Sequence, residues 1–157
     1  VQTTKSALIV EDHPAMRRFL AAKLSQMGWQ VTQASNASEG IEALKAASPS
    51  LITLDLIMHP VGGVTSLDLL LVAAELSQMP AVFVLTSKAS YEDRRAFLAA
   101  GAKEVFLKPV LATSDFEPLF KEIAKLHHSP HHGPPDGGAV EHDPGRQSDR
   151  PPKEGSI

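Results

Sequence analysis

The sequence predicts an α/β protein: a five-stranded parallel, doubly wound sheet with helices on both faces. Three observations predict it. Short apolar runs alternate strictly with segments of helical periodicity, five times over. The runs read as continuous apolar stretches, as expected of strands covered on both sides. Polar residues follow directly at the carboxyl ends of these runs, which is where sheets of this class gather their function.

Ala7-Leu8-Ile9-Val10 is the first strand. Pro14 suits a helix start, where its missing N–H goes unused. Met16, Phe19, Leu20, Leu24 and Met27 then recur at helical spacing, and Gly28 marks the stop. Trp29 to Ala34 is a short second strand. Asn36 with Glu39 has the form of a capping box, and Ile41 and Leu44 continue that helix. Leu51-Ile52-Thr53-Leu54 is the third strand. Gly62-Gly63 break the chain, and a leucine-rich helix is expected from about Ser66 to Gln78. Its apolar stretch from Leu67 to Leu76 reads as core packing rather than as a partner-binding face. Ala81 to Leu85 is the fourth strand. Tyr91 to Ala100 is a helix stopped by Gly101, and Val105-Phe106-Leu107 is the fifth strand. Ser114 with Glu117 begins a last helix, with the stripe Phe116, Leu119, Phe120, Ile123 and Leu126.

The chain has 157 residues, 43% of them hydrophobic, which suits one compact domain with a single core region. A net charge of −3 offers no electrostatic footprint for nucleic acid. With no cysteine there is no disulfide, thiolate metal site or thiol nucleophile. No apolar run approaches the roughly 18 residues needed to cross a membrane. Val1 to Ser6 is polar, so no signal peptide is read there and a cytoplasmic location is expected. Composition changes abruptly at His127. Residues 127–157 hold half of the 12 prolines and half of the 10 glycines, with Val140 and Ile157 their only sizeable aliphatics. Such a stretch cannot bury enough apolar surface to offset its ordering entropy. The folded domain is therefore expected over 5–126, followed by a disordered Pro/Gly/His-rich tail over 127–157. The tail's His127, His128, His131 and His132 form a tract that reads as a weak, adventitious binder of transition metals.

The strand ends carry the chemistry. The first ends in Glu11-Asp12, the third in Asp55, the fourth in Thr86-Ser87 and the fifth in Lys108-Pro109. Three acids, a hydroxyl and a lysine thus converge on one edge of the sheet. Clustered carboxylates repel one another unless a cation sits among them, and a hard divalent ion such as Mg²⁺ fits an all-oxygen set. Asp55 can supply a nucleophilic oxygen to a phosphoryl group. Lys108 offers a compact positive charge to the phosphoryl oxygens, and Thr86 a hydroxyl donor. Phosphoryl transfer is mostly positioning and charge stabilisation, so a small residue set suffices.

This set resembles the receiver domains of two-component response regulators, the chemotaxis-receiver-like form of the flavodoxin-like fold. The resemblance covers about residues 5–126. It rests on the acid pair after strand one, Asp55-Leu-Ile-Met58 followed by Gly62-Gly63, Thr86-Ser87, Gly101-Ala102 and Lys108-Pro109. It implies a phosphorelay protein rather than an enzyme, with at most slow self-catalysed phosphorylation and dephosphorylation. Asp55 would be the phosphoacceptor and a ligand of Mg²⁺. Asp12 would be a direct ligand, Glu11 would act mainly through water, and the backbone carbonyl of Ile57 would complete the metal site. Thr86 and Lys108 would contact the phosphoryl group, and the Lys108-Pro109 peptide would be cis. A histidine kinase or histidine phosphotransfer protein would be the donor. With no DNA-binding or catalytic output domain after residue 126, a stand-alone regulator acting through an unknown output protein is expected, with neither nucleic acid nor membrane as partner.

The chain departs from the family pattern in three places. His59 follows Met58 where proline is usual, and Gly62 stands where an acid is usual. The loop after Asp55 is therefore expected to be the more flexible. Val105 occupies the switch position that is usually aromatic; Phe106 is adjacent but should point to the opposite face. These departures leave room for a second reading, a pseudo-receiver that acts as a phosphorylation-independent interaction module. The complete acid–Asp–Thr–Lys set argues against it. A phosphatase of the haloacid-dehalogenase type would want a second acid two residues after the nucleophile, and Ile57 stands there. His13 and His59 flank the predicted site and read as solvated loop residues.

Overall fold

The computed structural model describes residues 5–108 and 116–126. Strands and helices alternate throughout: β1 (Ser6–Val10), α1 (Pro14–Gln26), β2 (Gln30–Ala34), α2 (Ala37–Ala47), β3 (Leu51–Asp55), α3 (Ser66–Ala74), β4 (Ala81–Thr86), α4 (Tyr91–Ala99), β5 (Glu104–Leu107) and α5 (Glu117–Lys125). All five strands are parallel and lie in the order β2-β1-β3-β4-β5. This is the doubly wound flavodoxin-like sheet expected from the alternation, and its strand order reverses beside β1 and β3.

Alternate residues of each strand enter two separate cores. Leu8 and Val10 of β1, with Ile52 and Leu54 of β3, pack under α2, α3 and α4 through Leu44, Leu69, Leu70 and Phe97. Ala7, Ile9 and Leu51 face the other way, under α1 and α5, and meet Leu20, Leu24, Leu119 and Ile123. Val105 belongs to the first core and Phe106 packs against the second, so the adjacent pair does point to opposite faces. Phe106 lies 6.0 Å from Phe83, ring centroid to ring centroid.

Several local details differ from the sequence expectation. β2 is not a continuous apolar run; it is an edge strand with Gln30 and Gln33 exposed, so one side of it needs no burial. The leucine-rich helix ends at Ala74 rather than near Gln78. Glu75 and Leu76 donate to carbonyls three residues back, Val72 and Ala73, which tightens the last turn and redirects the chain towards β4. The capping box at α2 is half formed. Asn36 accepts from the Glu39 N–H at 2.9 Å, but the Glu39 carboxylate turns to the backbone and hydroxyl of Ser35. Fully reciprocal boxes appear at α3 (Thr65 with Asp68) and α4 (Ser90 with Asp93). The loop after Asp55 forms a small bridge between Val61 and Val64. Gly62 and Gly63 sit between them with φ of 62° and 74°, which glycine alone adopts without penalty at two successive turn positions. Ser114, the Lys108-Pro109 peptide and the stretch 127–157 with its histidine tract lie outside the described residues. Among the described residues, no helix is long and apolar enough to cross a membrane.

Candidate functional site

β1 and β3 are central neighbours, paired Val10 with Leu54, so the residues that follow them emerge side by side at the carboxyl edge. Glu11 and Asp55 are both almost fully buried there, while Asp12 is exposed. Carboxylate oxygens of Glu11, Asp12 and Asp55 lie within 4.8 Å of one another. Lys108, directly after β5, reaches across this edge. Its Nζ is 2.7 Å from Glu11 Oε2 and 3.1 Å from Asp55 Oδ2. The sheet thus brings together four predicted site residues that are up to 97 positions apart in the chain.

The two buried acids, Glu11 and Asp55, are each held by their own loop. The Ile57 N–H donates to Asp55 Oδ1 at 3.0 Å, a local turn bond that carboxylates often make two residues on. The buried Ser66 hydroxyl, at the start of α3, donates to the Asp55 carbonyl at 2.6 Å. The His13 N–H donates to Glu11 Oε1 at 3.2 Å, and the Arg17 guanidinium to the Glu11 carbonyl at 2.9 Å. His13 also caps α1, its Nδ1 accepting from the Met16 N–H at 3.3 Å. Sequence reasoning placed His13 beside the site but missed its capping of α1, and it missed Ser66 and Arg17. A capping position before Pro14 was the available signal for His13; Ser66 and Arg17 act through backbone carbonyls and have no signature in the chain.

The electrostatics are unbalanced. Burial pushes Asp55 up to about 7, and the Glu11 charge adds to that; Lys108 and the Ile57 N–H pull it down but do not compensate. Burial works against the Lys108 charge too, yet its bond to Glu11 and the two carboxylate charges hold it above the usual lysine value. With all groups ionised, three carboxylates face one ammonium, an excess of two negative charges. A hard divalent cation fits that donor set by charge and by ligand type. Glu11, Asp12 and Asp55 would hold it, with a backbone carbonyl as the remaining protein ligand. Ile57 borders the cluster with its side chain about half exposed.

A cavity of about 390 Å³ opens over the cluster. Glu11, Asp12, Asp55 and Lys108 line it, together with His13, Met16, Ile57 and Ser87. Thr86 is not among the lining residues. It is fully buried, and its hydroxyl donates to the Lys88 carbonyl at 2.8 Å while accepting from the Lys88 N–H. Its carbonyl accepts from the Lys108 N–H at 2.7 Å, so Thr86 fixes the backbone of the lysine rather than facing the cavity in this conformation. His59 is exposed and does not line the cavity.

Known proteins resemble this chain in sequence and fold. Residues 7–117 match the family described as response regulator receiver domain. A probable transcriptional regulatory protein of Mycobacterium tuberculosis, TcrX, is 32% identical over 104 residues, covering 66% of this chain and 43% of its own. The chain spans less than half the length of the curated relatives it matches. A CheY-like receiver domain protein of Methanospirillum hungatei superposes with a TM-score of 0.68 at 25% identity, over 80% of this chain and 98% of that one. A response regulator of Burkholderia pseudomallei, solved with a phosphorylated aspartic acid, calcium ion and citrate, superposes with a TM-score of 0.62 at 26% identity, over 79% of this chain and 71% of that one.

Proposed function

The chain belongs to the response regulator receiver domain family of two-component signalling, and from that premise we propose that it accepts a phosphoryl group on Asp55 and passes the signal on through changed affinity for a protein partner. The observation that carries the reading is the Asp55 carboxylate at the end of a central strand, held between Lys108 and the buried Glu11 with Asp12 beside it. The phosphorylated aspartic acid in the Burkholderia relative supports it. The donor is a histidine kinase or histidine phosphotransfer protein. In the transfer, the phosphorus–nitrogen bond of its phosphohistidine breaks as a phosphorus–oxygen bond forms to Asp55. The imidazole leaves with the electron pair and takes up a proton. Asp55 must be ionised to attack, and Lys108 stabilises that ionised form. Mg²⁺ is the cation proposed for Glu11, Asp12, Asp55 and the Ile57 carbonyl; it would offset charge on the transferring group. Lys108, and Thr86 once its hydroxyl leaves Lys88, contact the phosphoryl oxygens. Turnover beyond slow self-phosphorylation and hydrolysis is not part of this role.

The test is incubation with acetyl phosphate and Mg²⁺, read by intact mass. One phosphoryl group per chain is expected on the parent and none on Asp55→Asn, whose amide nitrogen cannot replace the nucleophilic oxygen. A normally labelled Asp55→Asn variant moves the acceptor elsewhere. The occupied Thr86 hydroxyl and the aliphatic Val105 favour a second reading, a phosphorylation-independent interaction module. An unlabelled parent chain supports that one. The net charge of −3 supports a protein rather than a nucleic-acid partner. Stand-alone action is tested by immunodetection of the cellular polypeptide: a longer chain puts the output in cis.

A further inference from the structure

The cavity over Asp55 offers few side-chain hydrogen-bond donors for the group it is to receive. A transferring phosphoryl group carries three oxygens that each accept charge-assisted bonds. Ionised carboxylates of Glu11, Asp12 and Asp55 accept only, and Met16 and Ile57 offer no side-chain donor. The Thr86 hydroxyl is committed to the Lys88 carbonyl. Lys108 divides its ammonium between Glu11 and Asp55. Beyond the third N–H of Lys108, the lining residues whose side chains can donate are Ser87 and His13.

His13 is the one of the two that hydrogen bonds tie to both the acid cluster and α1. Its backbone N–H is tied to Glu11 Oε1 at 3.2 Å, and its Nδ1 accepts from the Met16 N–H at 3.3 Å. An accepting Nδ1 puts the ring proton of a neutral imidazole on Nε2. The half of the ring not used by α1 is therefore an N–H donor, on a residue anchored both to the acid cluster and to the helix. Capping alone does not account for an imidazole here, since asparagine, aspartate and serine cap better. We propose that His13 is a catalytic residue of the phosphoryl transfer, its Nε2–H donating to an oxygen of the transferring group. The proposal rests on Asp55 being the phosphoacceptor. With acetyl phosphate, the phosphorus–oxygen bond to acetate breaks, a new one forms to Asp55, and acetate leaves with the electron pair. His13 keeps its proton throughout and stabilises charge on the oxygens that stay with phosphorus.

Two substitutions separate the helix cap from the donor. His13→Asn keeps a cap of the preferred kind but is too short to place an N–H where Nε2 lies. His13→Gln carries an amide N–H at about the reach of Nε2 but is a poor cap. Thermal midpoint, Mg²⁺ affinity without phosphodonor, beryllofluoride affinity and the initial rate of labelling by acetyl phosphate are measured for the parent and both variants. The expected result is crossed. His13→Asn retains the parent midpoint and Mg²⁺ affinity but labels roughly ten-fold more slowly and binds beryllofluoride correspondingly more weakly, as for loss of a bond to a charged group. His13→Gln melts earlier but labels within about two-fold of the parent when both are assayed folded. Labelling that follows the midpoint, that falls together with Mg²⁺ affinity, or that is unchanged in His13→Asn overturns the role of His13. A parent chain that does not label at all overturns the phosphoacceptor reading instead.

Discussion

Burial and the Glu11 charge push Asp55 up to about 7, and this has a consequence for stability that is independent of signalling. In the unfolded chain the group titrates near its ordinary value of 3.8. Below that pH both states hold the proton, and Asp55 costs the fold nothing. Between about pH 4 and 7 the folded state keeps a proton that the unfolded state has released, so stability falls as pH rises and the loss is complete above about 7. Asp55→Asn, which removes the ionisable group while preserving its shape, is therefore expected to raise the thermal midpoint at pH 8 in metal-free buffer, with a gain on the order of a few kcal/mol. The gain should shrink towards zero at pH 4. Thermal melts of both proteins across that range check it, and a difference independent of pH would refute the assignment. The acid itself was readable from the chain, as were Glu11, Asp12 and Lys108, because each lies at the carboxyl end of a strand. Thr86 shows what was not readable. Position at a strand end says nothing about rotamer, and here the hydroxyl turns back to its own loop.

At the scale of elements, α2 and α3 lie together over one face of the sheet, and Gly40 of α2 permits their approach. A Cβ at that position would stand 2.5 Å from Leu69 Cδ1 and 3.0 Å from Val10 Cγ2. Leu69 and Val10 are buried in the core beneath, so neither can move away cheaply. An alanine would otherwise gain about 1 kcal/mol of helix propensity over glycine. Overpacking of this kind costs about 1–3 kcal/mol. Gly40→Ala is accordingly expected to lower stability by about 1 kcal/mol rather than raise it, as measured by urea unfolding. An increase in stability would mean that α3 shifts freely. Nothing in the periodicity of α2 distinguishes Gly40 from a merely tolerated glycine; its role follows from which helix lies opposite. The early end of α3 has the same origin. The apolar pattern continues to Leu76, but the chain must turn to enter β4, and Pro80 favours an extended residue before it.

At the scale of the whole molecule, the parallel sheet gathers negative charge on one edge, where among the described residues the three carboxylates of Glu11, Asp12 and Asp55 cluster around the Lys108 ammonium. A cation that binds there and not to the unfolded chain stabilises the fold by mass action, by about 2.7 kcal/mol at a hundred times its dissociation constant. Millimolar Mg²⁺ is expected to raise the thermal midpoint of the parent above pH 7. Asp12→Ala should diminish that response more than Glu11→Ala, because Asp12 is exposed at the cavity while both Glu11 carboxylate oxygens are already engaged by His13 and Lys108. Equal responses in the two variants, or a full response in Asp12→Ala, would contradict the ligand assignment. An equal midpoint gain from sodium chloride at matched ionic strength would point to general screening instead.

By itself, the sequence determined the class of fold and the sheet edge on which Glu11, Asp12, Asp55 and Lys108 gather. Alternating strand and helix periods admit few topologies, and in a parallel sheet every strand's carboxyl end lies on the same edge, so Glu11, Asp12, Asp55 and Lys108 could be assigned to one place from linear position alone. The opposite facing of Val105 and Phe106 also followed from the two-residue period of a strand. Only the tertiary structure decided which helices cover which face, how closely α2 and α3 approach, and which hydrogen bonds hold the site. Those depend on contacts between residues far apart in the chain and on side-chain rotamers. Ser66 at the Asp55 carbonyl, Arg17 at the Glu11 carbonyl and the His13 bonds to Glu11 and Met16 were settled there. The local pattern specifies where a residue lies on its element, while the partner it meets is set by packing that minimises buried, unpaired polar groups across the whole sheet.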